Sequence, residues 1–512
     1  MARHLRNIVV VSLSTVGSRI LGLARDILLF AFLGASAINS AFIFAFTLPN
    51  LFRRLLGEGA LSSAVVPVFS SEYEGNGKDA AFSFLNQALS WVLVLLISLV
   101  IIGSFTLFSV GYWEGLEERW YIGFELGIIL LPYMIFVCLA AVIAAALNVF
   151  ERFAVGALSQ VWLNLSMIFF LGVLGALFGR TPMAQVYYLC AGVLVGGLIQ
   201  VIVPIRTLII MGWRPRIDFE MSGSIIELGR LVIPGLAGAV IFQVNAVVSQ
   251  LLAFSLNDKS VSILYLANRL IEFPLGVFTI AVTTVLFPTI ARLATQNKMS
   301  ELSQEYRRGL RIIFAITVPA MIGLIVLHDS ILSLLFEWGR FDTQDVNLTA
   351  PILIIFSIAL PFYSLSTFAT RGFHSLKDMK TPYRLAIFIF ILNVVLSLVL
   401  MFPFGILGLA GANVLSAIVN AVLLQWLLEK RESSFEHLGL GRELLKIVCS
   451  ASLMGAVAWA MRSIMVSYLG GGKLGDIFVV GLGIPVCVGL YFYILKLLKF
   501  EELDQLVRFF KK

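Results

Sequence analysis

Charged residues are scarce in this chain of 512 residues: only 13% are Asp, Glu, Lys or Arg, whereas 59% are hydrophobic. Soluble domains carry about 25% charged residues, so this composition excludes an ordinary soluble fold. Apolar runs of about 20 residues, long enough to cross a bilayer as helices, recur throughout the chain. The sequence therefore predicts an all-α polytopic membrane protein.

Cysteine and histidine are also scarce, with four of each. The cysteines, which show neither metal-site spacing nor a disulfide framework, are Cys138, Cys190, Cys449 and Cys487. We interpret them as small core residues. The histidines are scattered near the ends of apolar runs, and the sequence contains no P-loop. We therefore expect neither an enzyme nor a bound cofactor, and we leave open a coupling to an ion gradient or to the membrane potential.

Fourteen transmembrane helices are predicted from the apolar runs. Their limits are 8–33, 38–70, 84–111, 121–149, 157–179, 184–211, 226–254, 261–293, 309–328, 347–373, 383–402, 405–428, 444–468 and 475–498. The first run is too long for a cleavable signal peptide, so we expect it to remain as helix 1.

Lysine and arginine are distributed unequally between the predicted loops. The loops that follow odd-numbered helices hold at most one of them each, and the termini and other loops hold many more. Cytoplasmic loops are enriched in Lys and Arg, so both termini are predicted to be cytoplasmic. The net charge of +7 reflects this asymmetry rather than nucleic-acid binding. The tail from Phe500 to Lys512 is predicted to be an amphipathic helix at the inner surface.

An internal repeat relates the two parts of the chain. Leu131-Pro132-Tyr133 reappears as Leu360-Pro361-Phe362, and at the same offset Asn164 corresponds to Asn393. Repeats with an even number of spans run parallel in the membrane, and such halves commonly enclose a central site. We therefore predict two pseudo-symmetric six-helix halves around a central cavity, followed by two extra helices. The predicted domains are 1–220, 221–432 and 433–512.

Three charges interrupt the first apolar run: Arg19, Arg25 and Asp26. Each would cost about 2.5–3.5 kcal/mol at the centre of a membrane helix, so they are tolerated where they face water or each other. Arg19 and Asp26 are seven residues apart and share one helix face, while Arg25 lies on the neighbouring face. One interpretation is a polar, cationic site inside a helix bundle. The alternative is that these side chains lie at the membrane surface and extend towards the headgroups.

Helix 2 holds a second charged cluster. Arg54 and Glu58 are spaced to pair on one helix face, which would leave Arg53 for a ligand. Gly57 and Gly59, together with Pro49, favour a bend or a close backbone approach. The alternative is that the cluster marks the cytoplasmic end of a shorter helix.

Helix 8 holds the third cluster, in which Arg269 and Asn268 are both spaced to contact Glu272. Pro274 allows a kink just after them. Across the three helices the arginines outnumber the acids, and guanidinium groups bind phosphate and carboxylate in bidentate fashion. The clusters therefore predict a substrate that carries phosphate or carboxylate. A drug-cation exporter would be expected to show an excess of carboxylates instead.

Together these motifs resemble the MurJ (MviN) family of lipid II flippases, within the multidrug/oligosaccharidyl-lipid/polysaccharide exporter superfamily. The stretches that carry the resemblance are Ser18-Arg19-Ile20-Leu21-Gly22-Leu23-Ala24-Arg25-Asp26, Leu48-Pro49-Asn50-Leu51-Phe52-Arg53-Arg54, Asn268-Arg269-Leu270-Ile271-Glu272-Phe273-Pro274 and Lys380-Thr381-Pro382. The resemblance runs nearly from end to end and includes the count of fourteen helices.

The resemblance implies a flippase of the bacterial inner membrane, which moves the undecaprenyl-pyrophosphate-linked peptidoglycan precursor from the cytoplasmic to the periplasmic leaflet by alternating access. Lipid II and membrane lipids are the expected partners, nucleic acid is not, and contacts with cell-wall synthesis proteins are left open, as is any metal. The candidate substrate-binding residues are Arg19, Arg25, Asp26, Arg53, Arg54, Arg269 and Glu272.

Two positions depart from the family pattern. A family aspartate at the start of helix 2 is Ser40 here, and one common before the helix-8 arginine is Asn268. Both changes make the cluster more cationic and put an ion-coupling role for these positions in doubt. The alternatives are an exporter of another lipid-linked glycan, a cation-coupled drug antiporter of the same superfamily, and a membrane scaffold for cell-wall enzymes.

Overall fold

The computed structural model describes residues 2–432, 435, 440–469 and 472–503, and these form an all-helical fold. The prediction of fourteen helices is confirmed. The helices are α1 (Ala2–Leu33), α2 (37–76), α3 (78–111), α4 (Glu118–Val149), α5 (Phe153–Phe178), α6 (Pro182–Ile210), α7 (Gly223–Leu256), α8 (260–295), α9 (Met299–Phe336), α10 (Thr343–Ser375), α11 (380–404), α12 (406–431), α13 (Leu440–Leu469) and α14 (Lys473–Leu497).

Two helix boundaries consist of a single glycine. Gly77, with φ 85° and ψ −179°, separates α2 from α3, and Gly405, with φ 56° and ψ −128°, separates α11 from α12. Only glycine adopts a positive φ there without steric cost. The sequence predicted a loop over 71–83, and this was wrong: the helices continue through these polar residues up to Gly77 on either side.

The apolar character of the helices agrees with a multi-pass membrane protein. Within the described part of the chain, nine helical stretches are long and apolar enough to cross a membrane. Two of these stretches, Ala37–Gly111 and Lys380–Arg431, each contain two of the fourteen helices.

The four cysteines differ in burial. Cys138, Cys190 and Cys487 are buried as predicted, but Cys449 is exposed on α13, so its assignment to the core was wrong.

The chain forms two compact units. Unit 1 comprises Met1–Ser262 with Gly339–Phe341, and unit 2 comprises Ile263–Trp338 with Asp342–Lys512. The predicted domain boundaries at 220 and 432 stay a prediction.

Within unit 1, α7 packs against α2. The rings of Phe44 and Phe254 stack with centroids 4.5 Å apart, and Thr47 donates a hydrogen bond of 2.5 Å to Gln250. The short segment Gly339–Phe341 is also part of this unit, because the Arg340 amide donates to the Ala31 carbonyl over 2.8 Å.

Small residues allow α6 to approach α5 closely. A Cβ atom at Gly192 would lie 3.2 Å from the Met167 Cα, and one at Gly196 would lie 3.1 Å from the Leu163 Cα. Close backbone approach through small residues is the usual way in which membrane helices pack. Asn164 lies between Leu163 and Met167 on α5 and is 5% exposed. The close packing of α6 on this part of α5 therefore fixes the direction of the Asn164 side chain.

Within unit 2, α9 and α10 carry much of the packing. Tyr306 of α9 is fully buried, stacks on Phe368 of α10 at 5.0 Å and donates to Gln425 of α12 over 2.7 Å. On another side, Tyr491 of α14 donates to the Ala315 carbonyl over 2.7 Å. This hydrogen bond joins α14 to α9.

Candidate functional site

The charges of α1 form a buried cluster with α5. Asp26 is 0% exposed and accepts two hydrogen bonds from Arg25, 3.0 Å from Nε and 2.6 Å from Nη2. Arg25 Nη1 donates to Asn164 Oδ1 over 3.2 Å, and Asn164 Nδ2 donates to the Ser18 carbonyl over 3.1 Å. Both bonds end on the same oxygen, Asp26 Oδ1, and a guanidinium and a carboxylate that are bonded in this way offset part of each other's desolvation.

This arrangement corrects the predicted pairing in α1. The spacing of seven residues placed Arg19 beside Asp26, but the carboxylate of Asp26 is bonded to its sequence neighbour Arg25 instead. Arg19 is half-buried and makes no hydrogen bond or ion pair with any side chain that the structure describes. A guanidinium in this position keeps its donors available for an anion.

In α2 the charged cluster lies on an irregular stretch of helix. Arg53–Ala60 has π-helical hydrogen bonding, and Gly59 departs from helical geometry with φ −106° and ψ −120°. The predicted bend is therefore present, at Gly59 rather than at Pro49, which lies inside the regular helix. π-Helical turns occur often at functional sites, because they rotate the side chains that follow.

The two arginines of this stretch differ in their surroundings. Arg53 donates from Nε to Asn50 Oδ1 over 2.7 Å, and its role towards a ligand stays a prediction. Arg54 is exposed. The predicted Arg54–Glu58 pair falls on a side chain outside the described part of the structure and stays a prediction.

In α8 both predicted contacts are present. Arg269 Nη1 lies 3.3 Å from Glu272 Oε2, and Asn268 Nδ2 donates to Glu272 Oε1 over 3.0 Å. The side chains of Arg269 and Glu272 are 30% and 45% exposed, so this pair is more open than the pair in α1. A π-helical segment, Leu275–Thr279, follows Pro274 directly, which is the local consequence of the missing proline N–H.

The two positions that depart from the family pattern are both hydrogen-bonded. Ser40 and Ser262 are fully buried, and their hydroxyl oxygens lie 3.2 Å apart. Asn268 supports Glu272, as described above. Neutral side chains at these places act as hydrogen-bonding partners between or within helices.

Two asparagines of the site were missed as functional candidates. Asn164 was noticed only as a mark of the internal repeat, and Asn50 only as part of a motif. Each accepts a hydrogen bond from an arginine of the cluster. A buried amide in an otherwise apolar span is the signal that could have identified Asn164, because polar groups in lipid are paired.

Comparison with known proteins assigns the chain to a family. Residues 29–485 match the family model described as lipid II flippase MurJ. The chain is similar to a probable lipid II flippase MurJ of Vibrio cholerae, with 34% identity over 82% of this chain and 82% of that protein.

Two solved structures show the same fold. A lipid II flippase MurJ in an inward closed conformation has a TM-score of 0.77 and 24% identity, covering 96% of this chain and 99% of that one. An inward-facing multidrug resistance MATE transporter of the MOP superfamily has a TM-score of 0.65 and 16% identity, covering 82% and 96%.

Proposed function

The chain belongs to the lipid II flippase MurJ family, and from that premise we propose that it moves lipid II from the cytoplasmic to the periplasmic leaflet by alternating access. It is a transporter rather than an enzyme, since no bond of the substrate is made or broken. The main structural support for this proposal is the buried cluster of Arg25 and Asp26 on α1 with Asn164 on α5.

We assign the pyrophosphate of lipid II to the arginines of the clusters. A pyrophosphate offers several anionic oxygens in a compact group, and guanidinium forks bind such oxygens in bidentate fashion. Arg19, Arg25, Arg53, Arg54 and Arg269 are the proposed donors. Asp26 and Glu272 are proposed to hold Arg25 and Arg269 in place when no substrate is bound, because charges buried in lipid require partners.

The membrane location of the protein, its orientation and its source of energy are part of the same proposal. We propose that the protein lies in the bacterial inner membrane with both termini in the cytoplasm, as the distribution of lysine and arginine indicates. We propose that no cofactor is bound and that an ion gradient or the membrane potential supplies the driving force. A transmembrane potential of 100 mV contributes about 2.3 kcal/mol per elementary charge, which is enough to bias the movement of an anionic headgroup.

The test is the appearance of lipid II on the outer face of the inner membrane. In cells that depend on this protein and have no other flippase, its depletion should sharply reduce the lipid II that reacts with a membrane-impermeant reagent. Re-expression of the wild-type protein should restore the signal, and Arg269→Ala should not. Arg384→Ala, which removes an exposed cation of α11, is the matched control and should restore it. Unchanged labelling after depletion would remove the basis of the proposal.

A further inference from the structure

The chain turns sharply after α14 and docks on two other helices of unit 2. Lys499 has a positive φ of 51°, and its carbonyl accepts a hydrogen bond of 3.1 Å from Lys446 of α13. Phe500 is buried, and its amide donates to the Leu495 carbonyl over 3.0 Å. Glu501 and Glu502 follow in the turn. The predicted tail helix therefore does not start at Phe500, and its part from 504 to 512 lies outside the described residues.

Arg311 of α9 fixes this turn. Its Nη1 donates to Glu501 and, over 2.9 Å, to Glu502. Glu502 is 5% exposed, so the turn holds a carboxylate almost completely out of water. A buried ionised carboxylate needs more than one partner to offset its desolvation.

The pairing of Arg311 with Glu502 leaves one buried atom of each without a partner. Among the described residues, neither Arg311 Nε, a donor, nor Glu502 Oε2, an acceptor, has a hydrogen-bonding partner. Buried unpaired polar atoms are uncommon and each one calls for an explanation, such as a bound molecule. Burial raises the pKa of Glu502, against the effect of Arg311, so an additional cation nearby would favour its ionised form.

Both residues line one pocket of about 420 Å³ at the start of α9. The other lining residues are Gln304, Glu305, Arg307, Arg308 and Glu501. A single water occupies about 30 Å³ of liquid volume, so this space exceeds what one bridging water would fill. Three guanidinium groups and three carboxylates face it, which makes the lining neutral overall but rich in groups of both signs.

A lining with guanidinium and carboxylate groups suits a molecule that carries one negative and one positive group. A phosphate accepts hydrogen bonds from guanidinium groups, and a primary ammonium donates to a carboxylate. The pocket also lies where α9 changes from charged to apolar sequence, after Arg311, at the end that the positive-inside rule places in the cytoplasm. Leu497, the last residue of α14, and Leu498, which follows it, are exposed and apolar.

We propose that this pocket binds the headgroup of an aminophospholipid of the inner leaflet, with the phosphate at Arg311 and Arg308 and the primary ammonium at Glu502. The site shares no residue with the charged clusters of α1, α2 and α8. It would fasten the turn after α14 to α9 through a lipid of the surrounding bilayer. Its occupation depends on the membrane and not on the transported substrate.

The test compares headgroups that share the phosphate and differ in whether they carry a primary ammonium, a methylated ammonium or no ammonium. Purified full-length protein is titrated in detergent with phosphatidylethanolamine, its N-methylated series up to phosphatidylcholine, and phosphatidylglycerol, and bound lipid is counted by native mass spectrometry. Phosphatidylethanolamine should bind about tenfold more tightly than phosphatidylcholine, because trimethylation removes the charge-assisted hydrogen bonds to Glu502. Glu502→Gln should abolish that preference.

The matched control is Glu301→Gln, which neutralises an exposed carboxylate on the first turn of α9 outside the pocket and should leave the preference unchanged. Equal binding of all headgroups by the wild-type protein would mean that the pocket holds water only. Equal binding of phosphatidylethanolamine and phosphatidylglycerol would mean that the phosphate alone is recognised, and either outcome overturns the proposal. The methylation series on the wild-type protein gives this answer even if Glu502→Gln does not fold.

Discussion

Removing one charge of the Arg25–Asp26 pair should destabilise the protein more than removing both. Asp26 is fully buried and the Arg25 side chain is 12% exposed, so Arg25→Gln or Asp26→Asn would leave an uncompensated charge in a water-poor setting. Breaking a buried ion pair in this way costs about 3–5 kcal/mol. Replacing both partners with well-packed apolar side chains of similar volume is often neutral, so Arg25→Met combined with Asp26→Leu should be close to wild type in stability.

The same three variants separate stability from transport. Thermal unfolding in detergent should give low midpoints for the two single variants and a midpoint near that of the wild type for the double variant. Transport of lipid II, measured in proteoliposomes with equal amounts of folded protein, should be lost in the double variant, because no guanidinium remains at this position. A stable protein without transport is the result that a substrate-binding role of Arg25 requires.

Two outcomes would refute this reasoning. If both single variants are as stable as the wild type, the Arg25–Asp26 bond does not offset the burial of its charges. If the double variant transports lipid II at the normal rate, the pair has only a structural role and Arg25 does not contact the pyrophosphate.

Further variants test the neighbouring contacts. Asn164→Leu removes the amide that accepts from Arg25 over 3.2 Å and should lower transport in proteoliposomes about tenfold, the loss expected for one hydrogen bond to a charged group; unchanged transport would contradict a positioning role. Glu272→Gln should change the free energy of unfolding by less than about 1 kcal/mol, since its pair with Arg269 is partly exposed, yet it should reduce transport; a large loss of stability with normal transport would reverse that assignment. Asp378→Ala removes the carboxylate that accepts from two amides at the start of α11 and should lower stability by about 1 kcal/mol without affecting transport by the folded protein, as thermal unfolding and the flipping assay together would show.

The number of helices could be predicted from the sequence, because each span in lipid must contain about 20 apolar residues. The limits of the helices could not be predicted equally well, because polar residues continue a helix outside the membrane without any apolar signal. This explains why 71–83 was predicted as a loop. At α11, Asp378 lies two residues before the helix and accepts the hydrogen bonds of its first two amides.

The candidate residues could be identified from the sequence, but their partners could be found only for short spacings. Arg269 and Asn268 reach Glu272 within one helical turn, and both contacts are present. The direction of the Cβ atoms suggested that Asp26 faces Arg19, but an arginine side chain is long enough to turn back to an adjacent residue. Asn164 lies 139 positions from Arg25, and no local spacing rule connects residues that far apart.

The arginines of the clusters fall into two groups, and this division bears on how an anion could be taken up and released. Arg25, Arg53 and Arg269 each have an acceptor within their own unit, namely Asp26, Asn50 and Glu272.

Under the proposed function, a pyrophosphate that binds any one of these arginines must displace or share its existing acceptor, so most of the interaction energy offsets a bond already made. Arg19 has no such acceptor among the described side chains, so an anion bound by it gains the full charge-assisted interaction. A transporter must bind its substrate firmly enough to select it and weakly enough to release it. Under the proposed function, Arg19 would attract the anion and the paired arginines would exchange partners, which meets both requirements because the carboxylates can bind Arg25 and Arg269 again when the substrate leaves.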